Sequence, residues 1–184
     1  MNLNSYTLSD LYKRMEKLYG EQSHINEAVI LHLAKLFPEL FLISYDDKNE
    51  DNSHLIILPF NKSGLEKITD DNTYEEELLL SDFSIDFNQA PTYFFVYSIY
   101  GKTTRLSAQM IKQTYSAVLK YSEFFNKKES FIFAEAVTPA GKLISSRMGL
   151  TNYQTYIFDG EELFLYRAFF NEFIERNTRP FLSN

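Results

Sequence analysis

The chain has 184 residues, no cysteine and a formal net charge of −7. Its length predicts a single domain, because domains usually contain about 100–200 residues. The absence of cysteine excludes disulfides, thiolate zinc sites and cysteine nucleophiles. The acidic balance argues against binding to nucleic acid or to an anionic membrane, because both are bound mainly through lysine and arginine.

Nothing in the sequence predicts export or insertion into a membrane. No run approaches the ~18 consecutive apolar residues of a membrane span. Residues Met1 to Asp10 lack the basic and apolar regions of a secretion signal. Together with the absence of cysteine, these features predict a soluble, cytoplasmic protein.

The N-terminal half predicts helices and one β-hairpin. Apolar residues at helical spacing predict two helices: Leu8–Tyr19, capped by Thr7 or Ser9, and Ile25–Phe37, capped by Ser23. Two short apolar runs, Phe41–Tyr45 and His54–Phe60, predict the paired strands of the hairpin, with a polar connection between them. In the stretch Asn61–Asn88 we expect a short helix around Leu65 and Ile68 and another over Tyr74–Leu80.

The next segment predicts a strand–helix–strand unit. Thr92–Tyr100 is almost continuously apolar, which is typical of a strand buried on both faces. An amphipathic helix over Ser107–Phe125 and a second strand over Ser130–Val137 follow it. Two strands joined by one helix are expected to lie parallel and adjacent, with a right-handed crossover.

The C-terminal segment predicts a helix, a hairpin and a tail. We expect a helix that is capped by Thr138, has Pro139 in its first position and ends at Gly149. A hairpin then turns at Asp159–Gly160, between the strands Tyr153–Phe158 and Glu162–Tyr166. The amphipathic tail covers Ala168–Asn177.

These elements predict an α/β fold in which helices cover both faces of a central mixed β-sheet. The single domain is expected to divide into three parts. Residues 1–90 contain the N-terminal helices, the first hairpin and a variable segment. Residues 91–167 contain the strand–helix–strand–helix–hairpin series, and residues 168–184 form the tail.

Metal sites and common hydrolase motifs are not predicted. The three histidines have no zinc-ligand spacing. Asp47, Asn49 and Asp51 imitate the start of a calcium loop, but the sixth and twelfth loop positions hold Asn52 and Leu58 where glycine and glutamate are required. The chain also lacks a GxSxG elbow and a Walker phosphate loop.

The turn between the buried strand and the long helix carries a candidate anion site. It reads Ser98-Ile99-Tyr100-Gly101-Lys102-Thr103-Thr104-Arg105. Amide groups at a helix N-terminus attract anions, and here two cations and two hydroxyl groups stand beside them. A phosphate cradle is one interpretation, and an ordinary strand-to-helix turn with capping threonines is the other.

The stretch Pro91–Tyr166 resembles the GNAT acyltransferase superfamily. The resemblance is carried mainly by Ala134-Glu135-Ala136-Val137-Thr138-Pro139-Ala140-Gly141, ending in Gly149-Leu150, and by the strands and helix around it. It implies two parallel strands that splay apart to hold acetyl-CoA or another acyl-CoA. The pantetheine is then expected to pair with the backbone of Ser98, Ile99 and Tyr100. The pyrophosphate is expected at Gly101, Lys102, Thr103, Thr104 and Arg105.

The resemblance also implies catalytic roles, and the sequence departs from the family at two positions. Glu135 is expected to act as the base that deprotonates an amine acceptor, and Tyr100 and Tyr97 are the two phenols available as the acid. The family's usual acid is a tyrosine four residues before the glycine that ends the following helix, where this chain has Ser145. The family's glycine-rich pyrophosphate loop is reduced to one glycine, Gly101.

Two functions are therefore expected. The first is an N-acyltransferase that uses acyl-CoA on a small-molecule or protein amine. The second is a catalytically inactive GNAT-like module that binds a ligand or a protein. The chain has 17 Phe and 13 Tyr residues, so either a Phe-rich core or exposed aromatic patches at a protein partner or homodimer interface are expected.

Overall fold

The computed structural model describes residues 25–45, 51–70, 75–84, 92–121, 130–136, 138–158 and 160–178. Within these ranges the chain forms five α-helices and one six-stranded sheet. The strands are β1 (Phe41–Tyr45), β2 (Asp51–Phe60), β3 (Tyr93–Gly101), β4 (Phe131–Ala136), β5 (Thr151–Phe158) and β6 (Glu161–Phe169). The helices are α1 (Glu27–Leu36), α2 (Lys62–Ile68), α3 (Thr104–Leu119), α4 (Pro139–Arg147) and α5 (Phe170–Thr178).

The sheet is mixed, with the strand order β1-β2-β3-β4-β6-β5. Every neighbouring pair runs antiparallel except β3 and β4, which are parallel and are connected through α3. This arrangement confirms the predicted strand–helix–strand unit and the mixed-sheet fold class. The division of the domain at 1–90, 91–167 and 168–184 stays a prediction.

Helices cover both faces of the sheet, as the contacts of two adjacent phenylalanines show. Successive strand residues point to opposite faces. Phe94 contacts Tyr121, just after α3, and Phe170 at the start of α5. Phe95 contacts Phe60, whose ring packs against α2 at Gly64. We therefore distinguish a Phe94 face, covered by α3 and α5, from a Phe95 face, where α2 packs.

The core is rich in phenylalanine, as one of the two aromatic alternatives predicts. Phe41, Phe60, Phe94, Phe170 and Phe173 are among the largest fully buried side chains. Burying an aromatic side chain of this size stabilises a fold by roughly 1.5–3 kcal/mol relative to exposure. Phe169 is an exception, since it lies exposed at the end of β6. No helix within the described ranges has the length and apolarity needed to cross a membrane.

Capping residues set where two helices begin, and both differ from the prediction. Helix α1 begins at Glu27, and the Asn26 side chain accepts a hydrogen bond from the Ala28 amide. The prediction that Ser23 caps this helix is wrong, because Asn26 does so three residues later. Helix α3 begins at Thr104, three residues before the predicted start, because the Thr103 hydroxyl caps it.

The turn residues of the C-terminal segment act as predicted. The Thr138 hydroxyl accepts from the Gly141 amide at 3.0 Å and caps α4, with Pro139 in the first position. Gly149, just past the end of α4, has φ +82°, and Gly160 in the hairpin turn has φ +81°. These left-handed values favour glycine because it has no Cβ to clash.

The stretch after β2 is only partly as expected. Helix α2 confirms the predicted short helix around Leu65. The second predicted helix, Tyr74–Leu80, is wrong, since two short 3-10 turns, Glu75–Glu77 and Leu80–Asp82, occupy this region. The Asp82 carboxylate accepts from the Leu79 amide at 2.8 Å, which fixes the second turn. The predicted helix Leu8–Tyr19 and the loop between β1 and β2 lie outside the described residues.

Candidate functional site

Strands β3 and β4 separate after four residue pairs. Their parallel pairing runs from Tyr93–Phe131 to Val96–Ala134. Beyond this point β3 still pairs with β2 as far as Gly101, and β4 still pairs with β6 as far as Ala136. Each strand thus keeps its outer neighbour and loses its inner one. We call the space between residues 97–101 and 135–136 the strand gap.

A β-bulge lies where the strand gap begins. Ile57 pairs with Val96, whereas Ile56 pairs with Ser98, so Tyr97 is an extra residue on β3. A bulge bends its strand and increases the local twist. The bend therefore falls at the residue where β3 leaves β4.

The inner edge of β3 faces the strand gap without a neighbouring strand among the described residues. Among the described residues, no strand pairs with this edge beyond Val96. Buried or half-buried backbone N–H and C=O groups need hydrogen-bond partners. A ligand that carries amide groups can supply them as an added strand does. Ser98, Ile99 and Tyr100 lie on this edge, and their role in binding pantetheine stays a prediction.

Three side chains of β2 and β3 form a cluster beside the strand gap. His54 is fully buried, and its Nε2 lies 2.8 Å from Oγ of the buried Ser98. The His54 ring also stacks on Tyr100, with 5.5 Å between ring centroids. Strand alternation along β2 from Phe60 places this cluster on the Phe95 face. Since the Ser98 side chain bonds His54, its backbone is the part that remains for a ligand.

A carboxylate and a phenol stand on the opposite side of the strand gap. Glu135 follows Phe133 by two residues on β4, and Phe133 contacts Tyr93, so Glu135 lies on the Phe95 face, as Tyr100 does. The Tyr156 hydroxyl reaches over β6 from β5 and donates to Glu135 Oε2. Burial raises the pKa of Glu135, and the hydrogen bond from Tyr156 acts in the opposite direction. A half-buried carboxyl group with a raised pKa is suited to acid–base chemistry.

The turn after β3 holds the start of α3 close to the strand. A Cβ on Gly101 would lie 2.3 Å from the Ser107 backbone nitrogen, so only glycine fits without displacing the helix. The Ser107 hydroxyl also donates to the Gly101 carbonyl at 3.2 Å. The Thr103 hydroxyl accepts from the Leu106 amide at 3.3 Å. Gly101 and Thr103 thus have structural roles that are sufficient to explain their identities.

Three further residues of this turn are exposed and lie at the helix start: Lys102, Thr104 and Arg105. The amides of Thr104 and Arg105 lie in the first turn of α3 and have no acceptor within the helix. The helix dipole adds partial positive charge at the same end. The turn therefore offers backbone donors, one exposed hydroxyl group and two cations beside the open end of the strand gap.

Ser145, which the sequence resemblance places at the usual acid position, is buried in α4. Its carbonyl accepts from the Leu150 amide at 3.1 Å. Gly141 of the same helix faces Ala136 of β4, which alternation along β4 assigns to the Phe94 face. Ser145 thus belongs to a helix on the face opposite Glu135 and Tyr100.

Two solved structures resemble the whole chain. Naa20 from Chaetomium thermophilum, solved in complex with a bisubstrate analogue, matches 97% of this chain and 88% of its own, with 11% identity and a TM-score of 0.57. Ard1 from Thermoplasma volcanium matches 91% of this chain and 94% of its own, with 10% identity and a TM-score of 0.52. Both are GNAT N-acetyltransferases, so the chain has a GNAT-like fold. The likeness extends beyond the stretch Pro91–Tyr166. No family model and no curated protein matches the sequence.

Proposed function

We propose that this chain is an acyl-CoA-dependent N-acyltransferase that acts on an amine. The observation that carries the proposal is the strand gap, where the half-buried carboxyl group of Glu135 lies across one opening from a β3 edge with which no described strand pairs. The GNAT-like fold supports the same function. The bisubstrate analogue bound by Naa20 supports a site that takes two substrates together.

The residues around the strand gap fit acetyl-CoA or another acyl-CoA. When bound, acyl-CoA supplies an activated thioester. The unpaired edge of β3 meets the hydrogen-bonding needs of a pantetheine arm, which carries two amides. The start of α3 and its two cations suit the pyrophosphate. The residues that would hold the ligand are Ser98, Ile99 and Tyr100 along the strand, and Gly101, Lys102, Thr103, Thr104 and Arg105 at the turn.

Glu135 is proposed as the base that accepts a proton from the acceptor amine. A free alkyl amine is protonated near neutral pH and must lose a proton before it can attack a carbonyl carbon. Because burial raises the pKa of Glu135, its carboxylate is a stronger base than an exposed one. Tyr156 holds the carboxylate in place through its hydrogen bond and limits the rise in pKa.

Tyr100 is proposed as the acid that protonates the departing thiolate. Its phenol lies on the Phe95 face with Glu135, and stacking on the buried His54 limits the movement of its ring. Ser145 is a poorer candidate, because an aliphatic hydroxyl group is a weaker acid than a phenol. The acceptor class, a small-molecule or a protein amine, stays part of the proposal.

Two measurements on the purified chain test the proposal. Acetyl-CoA and longer acyl-CoAs at 100 times Kd should stabilise the fold by about 2.7 kcal/mol. For a chain of this size this corresponds to a rise in Tm of roughly 5–11 °C. Thiol release with a panel of amines and peptides should then reveal turnover. Absence of both effects would refute the proposal.

Substitutions of the proposed base separate chemistry from binding. Glu135→Gln should lower kcat by about 10²–10⁴-fold and leave the thermal shift with CoA unchanged. Glu76→Gln, the same change at an exposed position, should leave kcat unchanged. Tyr156→Phe removes a hydrogen bond that lowers the pKa of Glu135. The acidic limb of the pH–rate profile should therefore move to higher pH.

The alternative function is a GNAT-like binding module without catalysis. Ser145 favours it, since the residue type at the family's acid position is changed. The same measurements distinguish the two functions. Binding of acyl-CoA without turnover on any acceptor supports the binding module, whereas turnover that is lost in Tyr100→Phe supports the enzyme and its proposed acid.

A further inference from the structure

We infer that β5 is an interface between two copies of this chain, which pair antiparallel along their β5 edges about a two-fold axis. The strand ends the sheet order, so among the described residues nothing pairs with its outer edge. An exposed edge presents unpaired N–H and C=O groups, which another strand can pair with. This inference does not depend on the proposed acyltransferase activity.

The side chains of β5 are exposed on both faces of the sheet. Tyr153 is 50% exposed and Ile157 is 61% exposed. Thr151, Asn152, Gln154 and Thr155 are also exposed, and Tyr156 is half-buried. Threonine, isoleucine and tyrosine favour strand pairing. The strand thus combines an outer edge that no described strand covers with side chains that suit an extended sheet.

Charge permits a second copy to approach along this strand, and exposure distinguishes it from β1, the other edge strand, which also lacks charged residues but whose described side chains are buried or half-buried. Each copy has a formal net charge of −7, so two copies carry a net electrostatic repulsion. Residues 151–157 contain no Asp, Glu, Lys or Arg. Edge strands are commonly protected by charged residues or proline, and β5 has neither. A β-bulge at Tyr153 is the one protective feature of this strand, and the pairing of residues 154–158 with β6 is regular.

One end of β5 is surrounded by arginines. Arg147 is exposed at the end of α4, four residues before Thr151. Arg167 is the register partner of Thr151 on β6. The Arg176 guanidinium donates to the Gly149 carbonyl at 3.2 Å. Glu172 shares a pocket with two of these arginines, so three cations and one anion lie at this end.

The other end of β5 is acidic. Glu162 is exposed and pairs with Ile157, one residue before the end of β5. In an antiparallel two-fold pair, the arginine end of each copy meets the glutamate end of the other. This complementarity occurs twice in one dimer. A parallel pairing would instead bring like charges together, and an extended peptide could satisfy the pattern only once.

Sedimentation velocity over a concentration series tests the interface. The wild-type chain should approach twice its 21.6 kDa mass as its concentration rises. Gln154→Glu places a charge on each copy in the strand pair and should raise the dimer Kd roughly 2- to 30-fold. Gln109→Glu makes the same change on the exposed surface of α3 and should have no effect. Equal Kd values for the two variants, with unchanged Tm, would overturn the inference.

A charge exchange tests the antiparallel orientation. Arg147→Glu and Glu162→Arg should each weaken the dimer, because each places like charges at the facing ends. The double variant should recover wild-type association, since it restores opposite charges. A wild-type chain that stays monomeric at its highest soluble concentration would overturn the inference and leave the edge to an extended peptide. A dimer that none of these variants weakens would overturn it as well.

Discussion

Replacing Gly101 with alanine should displace the N-terminal turn of α3. The added Cβ would lie 2.3 Å from the Ser107 nitrogen and 2.8 Å from both the Ser107 Cα and the Leu106 carbonyl carbon. These are backbone atoms, which cannot move aside as the tip of a flexible side chain can. The helix start or the end of β3 must therefore shift, and the hydrogen bond from the Ser107 hydroxyl to the Gly101 carbonyl must lengthen or break.

The expected cost of Gly101→Ala is that of overpacking a well-packed site, about 1–3 kcal/mol. For a chain of this size the change corresponds to a fall in Tm of roughly 2–12 °C. Because the first amides of α3 move with the backbone, binding of CoA should weaken more than binding of its pantetheine fragment. The pantetheine fragment contacts the strand edge in our proposal, whereas only CoA extends to the turn.

Gly141→Ala is the matched control for this substitution. Its Cβ would lie 3.3 Å from the Ala136 Cβ and 3.4 Å from the Thr138 hydroxyl oxygen, which are side-chain atoms at tight but tolerable distances. Alanine also favours a helix over glycine by roughly 0.5–1 kcal/mol. The Gly141 variant should therefore stay within about 1 kcal/mol of wild type. If both variants show the same Tm and the same CoA affinity, the close approach at Gly101 does not limit the structure.

Three further predictions concern the turn after β3, the segment after β2 and the start of β1. Lys102→Ala and Arg105→Ala should each weaken binding of CoA more than binding of pantetheine, as titration calorimetry can measure. Asp82→Ala removes a buried carboxylate that accepts hydrogen bonds from the Lys67 ammonium group and the Leu79 amide. The free energy of unfolding, measured with urea, should fall by about 1.5–3 kcal/mol. The hydrogen bond from Lys120 is the main cause that lowers the pKa of Glu39. The ionised Glu39 therefore stabilises the fold above pH 4.5, the ordinary pKa of a glutamate. This stabilisation is lost as the pH falls through the lowered pKa of Glu39.

Each of these has a result that contradicts it. Equal losses for CoA and pantetheine would remove the phosphate role of the two cations. An unchanged urea midpoint in Asp82→Ala would mean that its hydrogen bonds contribute no net stability. For Glu39, the Tm values of the wild type and of Glu39→Gln should converge on acidification below pH 4.5. A constant difference would mean that the pair with Lys120 does not stabilise the fold.

Local patterns were sufficient to predict most elements of the fold. The apolar runs predicted all six strands, and β3 differs by one residue at each end from the predicted Thr92–Tyr100. Thr138, Pro139 and Gly149 set the limits of α4 because cap and turn preferences depend on adjacent residues. The start of α3 differs because the Thr103 hydroxyl caps the helix, whereas the apolar spacing alone indicates a start at Ser107. The 3-10 turns were missed because the apolar spacing of Tyr74–Leu80 resembles that of a helix.

The candidate site was less accessible from sequence, because its contacts join distant residues. The hydrogen bond between His54 and Ser98 spans 44 positions, and the one between Tyr156 and Glu135 spans 21. Strand register sets both, and spacing along the chain gives no sign of either. Sequence reasoning therefore proposed Glu135 and Tyr100 but missed His54 and Tyr156. The continuous apolar run Leu55–Leu58 was the available signal that β2 is buried on both faces, and His54 directly precedes it.

Because β3 and β4 pair over only four residues, the sheet also consists of two halves that are weakly joined. Strands β1, β2 and β3 form one antiparallel half, and β4, β6 and β5 form the other. Few backbone hydrogen bonds join the two halves. A molecule bound in the strand gap would therefore add hydrogen bonds between them. Ligand binding should consequently slow hydrogen exchange on both sides of the gap, at residues of β3 and of β4. The opening would then serve as a binding site and also as the place where the ligand stiffens the whole sheet.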